Sequence, residues 1–357
     1  MSRKPILITG GCGFVGRHLI KGLLPRKIPI WVIDDLSTGK HPDVWLNLKN
    51  GWKKRERRNG VISYYKEEIE INFIQSNALP IFLDMTDKTN RYSLPCFSDL
   101  FHLASIVGGR SMIDGDPMLV GFDLAIDSAL FLWLTRHRDT AERILYASSS
   151  AAYPTQLQVN SVPVALKEEF IKFDGGSLGQ PDMTYGWSKM TGEYLSFLAH
   201  QRYGLHIACV RPFSGYGEDQ DISYPVPAIA RRIAMRKNPI EVWGSGRQGR
   251  DFIYIDDVID IMLLVLDKIY NGRGINIGTG RLTSFLEIIE VFKKLEGYDA
   301  EIQSLPDKPV GVQLRFADTS ELFKVIGKQN FTSLENGLKK VLDFAHSEIN
   351  NKPISLF

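Results

Sequence analysis

The chain has few cysteines, and its sequence predicts neither a leader nor a membrane anchor. Its 357 residues include only three cysteines, Cys12, Cys96 and Cys209, which are scattered and lack CxxC spacing. Because structural disulfides and cysteine metal sites need clustered or paired cysteines, this pattern predicts a reducing, cytoplasmic location and no metal site. Met1–Lys4 leads directly into an apolar strand pattern, so we predict no signal peptide and no run long enough to span a membrane.

The chain also has little net charge. A formal charge of +2 gives no electrostatic reason to expect nucleic acid or an anionic membrane as a partner. One basic cluster, Lys53–Arg58, departs from this balance, and we interpret it as a solvated loop rather than a nucleic-acid patch. With 44% hydrophobic residues, the composition predicts a soluble globular protein of one large domain or two joined domains.

What the chain does have is a glycine-rich segment near its N-terminus, Leu7–Gly16. An apolar run is followed by Gly10, Gly13 and Gly16, and then by apolar residues at helical spacing. A strand, a glycine turn and a helix are typical of a site for a dinucleotide pyrophosphate. Gly10 permits the tight turn, Gly13 lets backbone N–H groups approach phosphate oxygens, and Gly16 lets the helix pack closely on the sheet. The positive end of the helix dipole then faces the anion.

Acidic residues at the next strand ends suggest which dinucleotide binds. Asp34 ends the second predicted strand, where a carboxylate can accept both hydroxyls of the adenosine ribose and repel a 2′-phosphate. This favours NAD over NADP, although Asp34 is also compatible with an ordinary turn. Asp84 and Met85, after a predicted third strand at Ile81–Leu83, are candidates to flank the adenine, with a cap or turn role as the alternative.

Strand-like runs alternate with helical patterns along the first part of the chain. This predicts an α/β fold with a Rossmann-type doubly wound parallel sheet. The predicted strands are Ile6–Thr9, Ile30–Ile33, Ile81–Leu83, Leu100–Ala104, Ile144–Ala147 and Ile207–Arg211. Residues 40–79 and 155–182 are interpreted as surface insertions. We predict an NAD-binding domain over 1–212, to which segments of 249–280 return, and a smaller C-terminal α/β substrate-binding domain over 213–357.

A second motif carries the chemistry. Tyr185 and Lys189 are four residues apart on a predicted helix and therefore share a face. A tyrosine with a pKa of about 10 is a poor base at neutral pH, but a lysine cation beside it, assisted by the charge of the nicotinamide, favours the phenolate. Tyr185 can then remove a hydroxyl proton as hydride leaves the adjacent carbon, while a strand-end serine of Ser148–Ser150 holds the same oxygen. The alternative is an amphipathic helix with both side chains in solvent.

Together these motifs resemble the extended short-chain dehydrogenases/reductases of the NAD-dependent epimerase/dehydratase family, which act on nucleotide sugars. The resemblance also covers His102–Ala104, Arg211–Phe213, Gly249–Tyr254 and Asn276–Gly278. It implies that Ser149, four residues before Tyr153, is the catalytic hydroxyl, with Ser150 as the second choice. It also implies a homodimer formed by the helices predicted at Leu119–Arg136 and Tyr185–Tyr203.

The resemblance further implies two sets of ligand contacts. Contacts to NAD are expected from Gly10, Gly13, Phe14, Val15, Gly16, Asp34, Ser37, Asp84, Met85, Lys189 and Pro212. Contacts to a nucleotide-diphosphate sugar are expected from Ser149, Ser150, Tyr224, Arg250, Lys308 and Arg315. Arg250 matches an arginine that holds the diphosphate, a task suited to the guanidinium fork. The alternative for Arg250 is a surface arginine paired with Asp251.

Differences between this sequence and other members of the family reduce the number of reactions that it could catalyse. The family's 4,6-dehydratases carry Asp-Glu where Ser150 and Ala151 stand, and its decarboxylases carry glutamate at Ala151. The GDP-mannose 3,5-epimerases need a cysteine at Ala151 and a lysine within Ser223–Ala228, and both are missing here. C4 epimerisation through a 4-keto sugar remains, with a net 4-dehydrogenase or ketoreductase, or a non-catalytic NAD-binding sensor, as alternatives. Ser214 replaces the family's usual asparagine, which changes one substrate contact.

Overall fold

The computed structural model describes residues 3–46, 48, 51–106, 114–159 and 162–350. The strands of the described residues are β1 Ile6–Thr9, β2 Ile30–Asp34, β3 Lys53–Glu56, β4 Ile62–Lys66, β5 Ile69–Gln75, β6 Phe97–His102, β7 Ala141–Ala147, β8 Ala165–Leu166, β9 Ile207–Pro212, β10 Ser214–Tyr216, β11 Ile240–Trp243, β12 Gly249–Arg250, β13 Phe252–Tyr254, β14 Asn271–Ile277, β15 Thr283–Ser284, β16 Ile302–Leu305 and β17 Leu314–Ala317. The helices are α1 Phe14–Leu23, α2 Pro42–Trp45, α3 Ala78–Thr86, α4 Pro117–Val120, α5 Asp123–Arg136, α6 Met183–Tyr203, α7 Pro225–Ala234, α8 Ile255–Lys268, α9 Phe285–Glu296, α10 Ser320–Ile326 and α11 Leu334–Ile349.

A nine-stranded sheet with the order β14-β9-β7-β6-β1-β2-β5-β4-β3 forms the centre of the fold. From β14 to β5 all neighbours pair in parallel, and β4 and β3 add an antiparallel hairpin at one edge. The parallel strands are apolar on both faces, as Ile6, Leu7 and Ile8 illustrate with 0% exposure. Continuous burial of this kind requires helices on both sides of the sheet. The predicted Rossmann-type doubly wound fold is therefore confirmed.

The third strand of the parallel sheet is not the one predicted. Ile81–Leu83 lies inside helix α3, where Ile81 and Phe82 form the buried face that covers the sheet. The true third strand is β5, which pairs with β2 and buries Ile71 and Phe73. A short apolar run does not distinguish a strand from the buried face of a helix, which explains the error.

The described residues of the 40–79 segment consequently contribute to the sheet and are not a surface insertion. They supply β3, β4 and β5. The basic Lys53–Arg58 segment was predicted as a loop, but its first four residues form β3, whose side chains are all exposed at the sheet edge. Lysine and arginine at an edge discourage pairing with another chain, which is consistent with the exposure predicted for this segment.

Smaller sheets lie beyond the central one. β10 pairs with β13, β11 pairs with β16, and a four-stranded sheet has the order β15-β12-β17-β8. β8 comes from the 155–182 segment, and its pairing with β17 ties that segment to the C-terminal part of the chain. β14 joins the central sheet beside β9. β10 follows the carboxyl end of β9, and β15 follows the carboxyl end of β14. Short strands of the C-terminal part thus begin at the carboxyl ends of the parallel strands, where Rossmann folds bind their ligands.

The helix predicted at Leu119–Arg136 is divided into α4 and α5, which are separated at Gly121 and Phe122. Within the described residues, Pro117–Arg136 spans 20 residues with a mean hydropathy of 1.6, so the expectation that no run is long and apolar enough for a membrane was wrong. Half of the stretch is buried in the protein, and it contains the buried Asp123 and Asp127. Core helices meet the same criterion, so one such stretch is weak evidence for a membrane span.

Candidate active site

The three glycines between β1 and α1 form a close-packed turn. Gly10 has a φ of +70°, and a Cβ there would lie 2.7 Å from the Ala104 nitrogen. A Cβ at Gly16 would lie 2.4 Å from the Gly10 carbonyl oxygen, so only glycine lets α1 start this close to β1. Gly13 is the N-cap of α1, and no side chain caps that end of the helix. The first-turn amides, including those of Phe14 and Val15, are thus available to an anion such as a pyrophosphate.

Asp34 lies beside this turn at the end of β2 and is 9% exposed. Its Oδ2 accepts a hydrogen bond from the Cys12 amide, and its Oδ1 accepts one from the Leu36 amide, both at 2.8 Å. Each oxygen keeps a lone pair for one hydroxyl of a ribose. Burial raises the pKa of Asp34, although the two amide hydrogen bonds act against that rise. The turn and the carboxylate together fit the adenosine diphosphate half of NAD.

The structure removes the reason for expecting an adenine contact at Asp84 and Met85. Asp84 and Met85 are in α3 and do not follow a strand, so the premise for that prediction was wrong. The carboxyl end of β5 instead leads into Ser76 and Asn77. The side-chain oxygen of Asn77 caps α3 by accepting from the Leu79 amide at 2.9 Å. An asparagine directly before an apolar helical run is a sequence signal for this N-cap, and it was missed.

Other predicted contacts lie at the same edge of the sheet. Ser37 is exposed in the turn after β2, where its amide donates to Asp35 Oδ1 at 2.9 Å. Pro212 is the last residue of β9. Both follow the carboxyl ends of parallel strands, which is where a doubly wound sheet binds a dinucleotide.

Ser149, Tyr185 and Lys189 come together from two elements. Ser149 follows β7, and its Oγ accepts from the Ala151 amide at 3.1 Å. The Ser149 hydroxyl is close enough to the Tyr185 phenol to act on its pKa, and Lys189 Nζ lies 5.8 Å from the centre of the Tyr185 ring. Tyr185 is in the first turn of α6 and Lys189 is one turn later. The predicted shared helix face is therefore present and is turned towards β7 rather than solvent.

A glycine of α6 makes this approach possible. A Cβ at Gly186 would lie 2.4 Å from the Ala151 carbonyl oxygen, so a larger residue would push the helix away from the turn after β7. Ser150, the second choice for the catalytic hydroxyl, is buried in this turn. The Tyr-Gly-x-x-Lys pattern contained this packing signal, which the spacing of Tyr185 and Lys189 alone did not reveal.

The charges around the pair favour a cationic lysine. Burial acts to lower the pKa of Lys189, but the carboxylates of Asp127 and Asp123 outweigh it and the pKa is raised. Burial raises the pKa of Tyr185, and Lys189 and the Ser149 hydroxyl oppose this rise. Lys189 therefore carries a positive charge at neutral pH beside a phenol whose deprotonation it assists.

The predicted substrate residues have different surroundings. Arg250 on β12 donates to the Gly249 oxygen at 2.8 Å and to the Val310 oxygen at 3.1 Å. The Asp251 carboxylate accepts from backbone amides of the Thr279–Gly280 turn and of Ala317. The Asp251 carboxylate thus holds the turn after β14 and strand β17 in place.

Arg315 is part of an internal ion pair. Its guanidinium lies 2.7 Å from Asp182, the N-cap of α6, and its Nε donates to Gln158. Both ends of the pair are nearly buried, at 12% and 10% side-chain exposure. This link joins β17 to α6, the helix that carries Tyr185 and Lys189, and sequence spacing did not indicate it.

Tyr224 and Lys308 differ in how close they lie to Tyr185. Tyr224 is the N-cap of α7; burial raises its pKa, and the nearby Tyr185 adds to that rise. Lys308 lies in an exposed turn after β16, where its amide donates to the Leu305 oxygen at 3.2 Å. The structure brings Tyr224 near Tyr185 and leaves Lys308 at the surface.

A buried ion pair that the sequence did not reveal supports the serine segment. Glu193 on α6 and Arg211 on β9 form a salt bridge of 2.6 Å with 0% and 2% side-chain exposure. Ser148 donates to Glu193, and Arg211 also donates to the Tyr153 hydroxyl at 2.9 Å. These bonds fix the residues on both sides of the Ser149–Ala152 turn, because each buried charge is paired and hydrogen-bonded.

Comparison with known proteins places this site in context. A family model described as "NAD dependent epimerase/dehydratase family" matches residues 6–278. The chain is 29% identical to a UDP-glucuronate 4-epimerase of Thermodesulfobacterium geofontis, covering 96% of each protein. It is 26% identical to a putative UDP-glucose 4-epimerase of Methanocaldococcus jannaschii, covering 95% of this chain and 97% of the relative.

Solved structures show the same fold. The structure of a UDP-glucose 4-epimerase of Thermotoga maritima with UDP-glucose superposes with a TM-score of 0.77 at 23% identity and covers 97% of this chain and 99% of the other. A UDP-glucuronic acid 4-epimerase of Bacillus cereus, in complex with UDP-glucuronic acid and NAD, gives a TM-score of 0.76 at 24% identity, covering 96% and 99% of the two chains. By the match of its family model and the glycine turn, acid and Tyr-Lys pair described above, this chain belongs to the NAD-dependent epimerase/dehydratase family.

Proposed function

We propose that the protein is a nucleotide-sugar epimerase that inverts C4 by transient oxidation to a 4-keto sugar, with NAD as the bound cofactor. The observation that carries the proposal is the convergence of Ser149, Tyr185 and Lys189 at the same carboxyl edge of the parallel sheet that carries the glycine turn. The relatives named as UDP-glucuronate and UDP-glucose 4-epimerases support a nucleotide-diphosphate sugar as the substrate.

Each residue has a part in this reaction. Tyr185 removes the proton of the C4 hydroxyl, and Ser149 hydrogen-bonds the same oxygen and holds it in place. Lys189 stabilises the phenolate of Tyr185 by its positive charge. NAD, when bound, supplies the hydride acceptor and later the hydride donor. Rotation of the keto sugar between the two transfers presents its other face, and Tyr185 returns the proton.

The surroundings of Ala151 argue against the eliminating reactions of the family. Ala151 is buried, and its carbonyl oxygen accepts from the Asp182 amide at 2.9 Å. The Asp182 carboxylate is engaged by Arg315, so it is not presented as a free acid. A dehydratase needs a carboxyl group that protonates the leaving hydroxyl. Epimerisation by hydride transfer needs only Tyr185 as the acid and base and requires no such carboxyl group.

We further propose that the enzyme is a cytoplasmic homodimer. The outer faces of α4, α5 and α6, which pack together, carry large apolar side chains in solvent. These residues are Met118, Leu119, Phe122, Leu132, Trp187 and Tyr194. Large exposed apolar patches of this kind are typical of protein interfaces. Light scattering on the purified chain is expected to give twice the mass of one chain, and a monomer would contradict this proposal.

The test of the activity is incubation of the protein with a panel of nucleotide-diphosphate sugars, with and without added NAD. We expect conversion of one sugar to its C4 epimer without accumulation of NADH. Tyr185→Phe is expected to lower turnover by at least about 10²-fold, because the general base is lost, while NAD affinity is retained. Stoichiometric NADH would identify a dehydrogenase instead, and full activity in Tyr185→Phe would refute the assigned base.

A further inference from the structure

A fully buried hydrogen-bonded cluster lies behind the catalytic residues and is not explained by the reaction scheme above. It consists of Thr9, His102, Asp127 and Tyr146, which we call the Asp127 cluster. Thr9 Oγ1 and His102 Nδ1 are 2.8 Å apart, and His102 Nε2 is 3.0 Å from Asp127 Oδ1. The Tyr146 hydroxyl donates to Asp127 Oδ2. Both carboxylate oxygens of Asp127 are thus fixed by side chains from other elements.

The carboxylate of Asp127 is ionised despite its burial. Burial acts to raise the pKa of Asp127, but Lys189 and the His102 hydrogen bond outweigh it, and the pKa is lowered. An ionised carboxylate only accepts hydrogen bonds, so His102 donates through Nε2 and accepts from Thr9 through Nδ1. The cluster therefore holds a negative charge at a fixed point.

The charge that Asp127 faces is that of Lys189. Lys189 is 2% exposed, and its Nζ lies 5.7 Å from the centre of the Tyr146 ring. Among the opposing charges that act on Lys189, Asp127 has the largest effect and Asp123 the next. Within the described residues neither carboxylate lies within 4.0 Å of Nζ, so the ammonium protons remain available to the site in front.

The backbone of α6 is pressed against this cluster. A Cβ at Gly192 would lie 1.8 Å from the Tyr146 hydroxyl oxygen and 2.7 Å from Asp127 Oδ2. Gly192 is on the turn that follows Lys189, so the helix that carries Lys189 is seated directly on the Tyr146–Asp127 hydrogen bond. The position of the lysine and the position of the buried charge are therefore set together.

We propose that Asp127 is a positioning residue for the epimerisation, whose carboxylate, fixed by His102 and Tyr146, keeps Lys189 an ammonium behind Tyr185. This inference rests on the proposed function, in which Tyr185 is the base. Without the Asp127 charge, Lys189 loses its proton at lower pH. The phenolate of Tyr185 also loses a repelling negative charge and forms at lower pH, as long as Lys189 is still protonated.

Other groups around Lys189 set the size of the expected effect. Asp123 is on the same helix as Asp127, but its carboxylate accepts from the Ser105 hydroxyl and the Ile106 amide, both at 2.6 Å. Tyr185 from α6 itself and Cys209 from β9 also face Lys189. Asp127 is thus one of two carboxylates near the ammonium, and its removal should be felt more strongly than that of Asp123.

The first test measures the charge of Lys189 directly. Asp127→Asn removes the negative charge, yet the amide can accept from His102 and donate to the Tyr146 oxygen. In the full-length chain with ¹³C-labelled lysine, the signal lost in Lys189→Arg identifies Lys189. We expect its titration midpoint to fall by about one pH unit or more in Asp127→Asn, and by less in Asp123→Asn. An unchanged midpoint in Asp127→Asn would overturn the proposal.

Asp99→Asn is the matched control. Asp99 is 3% exposed and lies on the same sheet, but its carboxylate pairs with Arg143 at 2.6 Å. Its replacement removes a buried acid without touching the Asp127 cluster, so the Lys189 midpoint should not move. If Asp127→Asn does not fold, Asp127→Ser provides the same comparison, because serine is uncharged and smaller than aspartate. These readouts need no turnover, and they decide the charge effect even if no nucleotide sugar is epimerised.

The second test is the pH profile of kcat. In Asp127→Asn both limbs of the profile should move to lower pH: the acid limb because Tyr185 ionises more easily, and the alkaline limb because Lys189 deprotonates earlier. A uniform loss of kcat with both limbs in place would show a merely structural role and would overturn the proposal. If the wild type turns over no nucleotide sugar, the proposed function fails while the titration of Lys189 still stands.

Discussion

The cofactor side and the substrate side that we propose for this molecule are built in different ways. On the cofactor side, β1, the glycine turn and α1 are contiguous in sequence, and the fit depends on the space between backbone atoms, as Gly10 and Gly16 show. On the substrate side, Arg250 and Arg315 come from separate short strands of one sheet. Their guanidinium groups already contact protein atoms: backbone carbonyls for Arg250, Asp182 for Arg315.

This difference in construction predicts how well each side tolerates amino-acid substitutions. A backbone cradle has no side chain to rearrange, so a single added methyl group disturbs it. A surface built from long side chains on several strands can be altered one contact at a time. We therefore expect sharp losses from changes on the cofactor side and graded losses on the substrate side.

The largest effect is expected at Gly16. A Cβ there would lie 2.4 Å from a carbonyl oxygen of the backbone, which cannot move aside as a side chain can. Gly16→Ala should lower NAD affinity at least about 100-fold, with a loss of stability of about 1–3 kcal/mol from overpacking. Calorimetric titration with NAD and thermal unfolding measure the two effects.

Gly22→Ala on the same helix is the matched control for this prediction. Its Cβ would meet only a methyl group of the Ile259 side chain, at 3.2 Å. Alanine also favours a helix interior, so the variant should bind NAD normally. Equal losses in both variants would show that α1 is sensitive everywhere and would remove the special position of the glycine turn.

The second effect is expected at Asp34. Asp34→Ala should weaken NAD binding about 10- to 100-fold, because two charge-assisted hydrogen bonds to ribose hydroxyls are lost. Asp35→Ala is the control, since its exposed carboxylate instead contacts the Ser37 amide and Asn77. Unchanged NAD affinity in Asp34→Ala would remove the ribose assignment.

The raised pKa of Asp34 also predicts that NAD affinity depends on pH. Burial raises the pKa of Asp34 above its ordinary 3.8, and the carboxylate must be ionised to accept from both hydroxyls. NAD affinity should therefore fall as the pH drops, beginning above the range in which an ordinary aspartate protonates. Titrations with NAD at a series of acidic pH values measure this, and Asp34→Ala should lose the dependence.

These three predictions concern the part of the molecule that the sequence revealed best. The glycine spacing, Asp34, and the Tyr185–Lys189 pair are local patterns, and the elements around them are as expected. The third strand was misplaced because β5 lies in a polar segment, while Ile81–Leu83 is apolar for a different reason, namely the burial of one face of α3. Apolar content alone does not separate these cases.

Contacts between segments that are far apart in the sequence could not be predicted from sequence patterns. The Arg315–Asp182 pair joins residues 133 positions apart, and His102 meets Asp127 because β6 and α5 are packed in three dimensions. A single chain contains no signal for such pairs. The charge around Lys189, which decides the state of Tyr185, depends on this packing and was therefore not predictable.

A graded loss is expected at Arg250 on the substrate side. Arg250→Ala should raise KM for the nucleotide sugar about tenfold, because hydrogen bonds to a charged diphosphate are lost, and it should leave NAD affinity unchanged. Arg247→Ala, an exposed arginine in the segment before β12, is the control and should change neither value. Steady-state kinetics with a fixed sugar decide between them, and an unaltered KM in Arg250→Ala would refute the diphosphate contact.

The smallest effect is expected at Lys308. This prediction tests whether an exposed residue on the substrate side can be replaced with little loss of binding. Lys308 is exposed in the turn after β16, where its backbone amide donates to the Leu305 oxygen. An exposed charge of this kind contributes about 0–1 kcal/mol, so Lys308→Ala should change KM by no more than about fivefold. A larger rise in KM, close to that of Arg250→Ala, would mean that the turn after β16 closes over the nucleotide when substrate binds. The substrate side would then depend on a rearranged loop as much as the cofactor side depends on its fixed glycine turn.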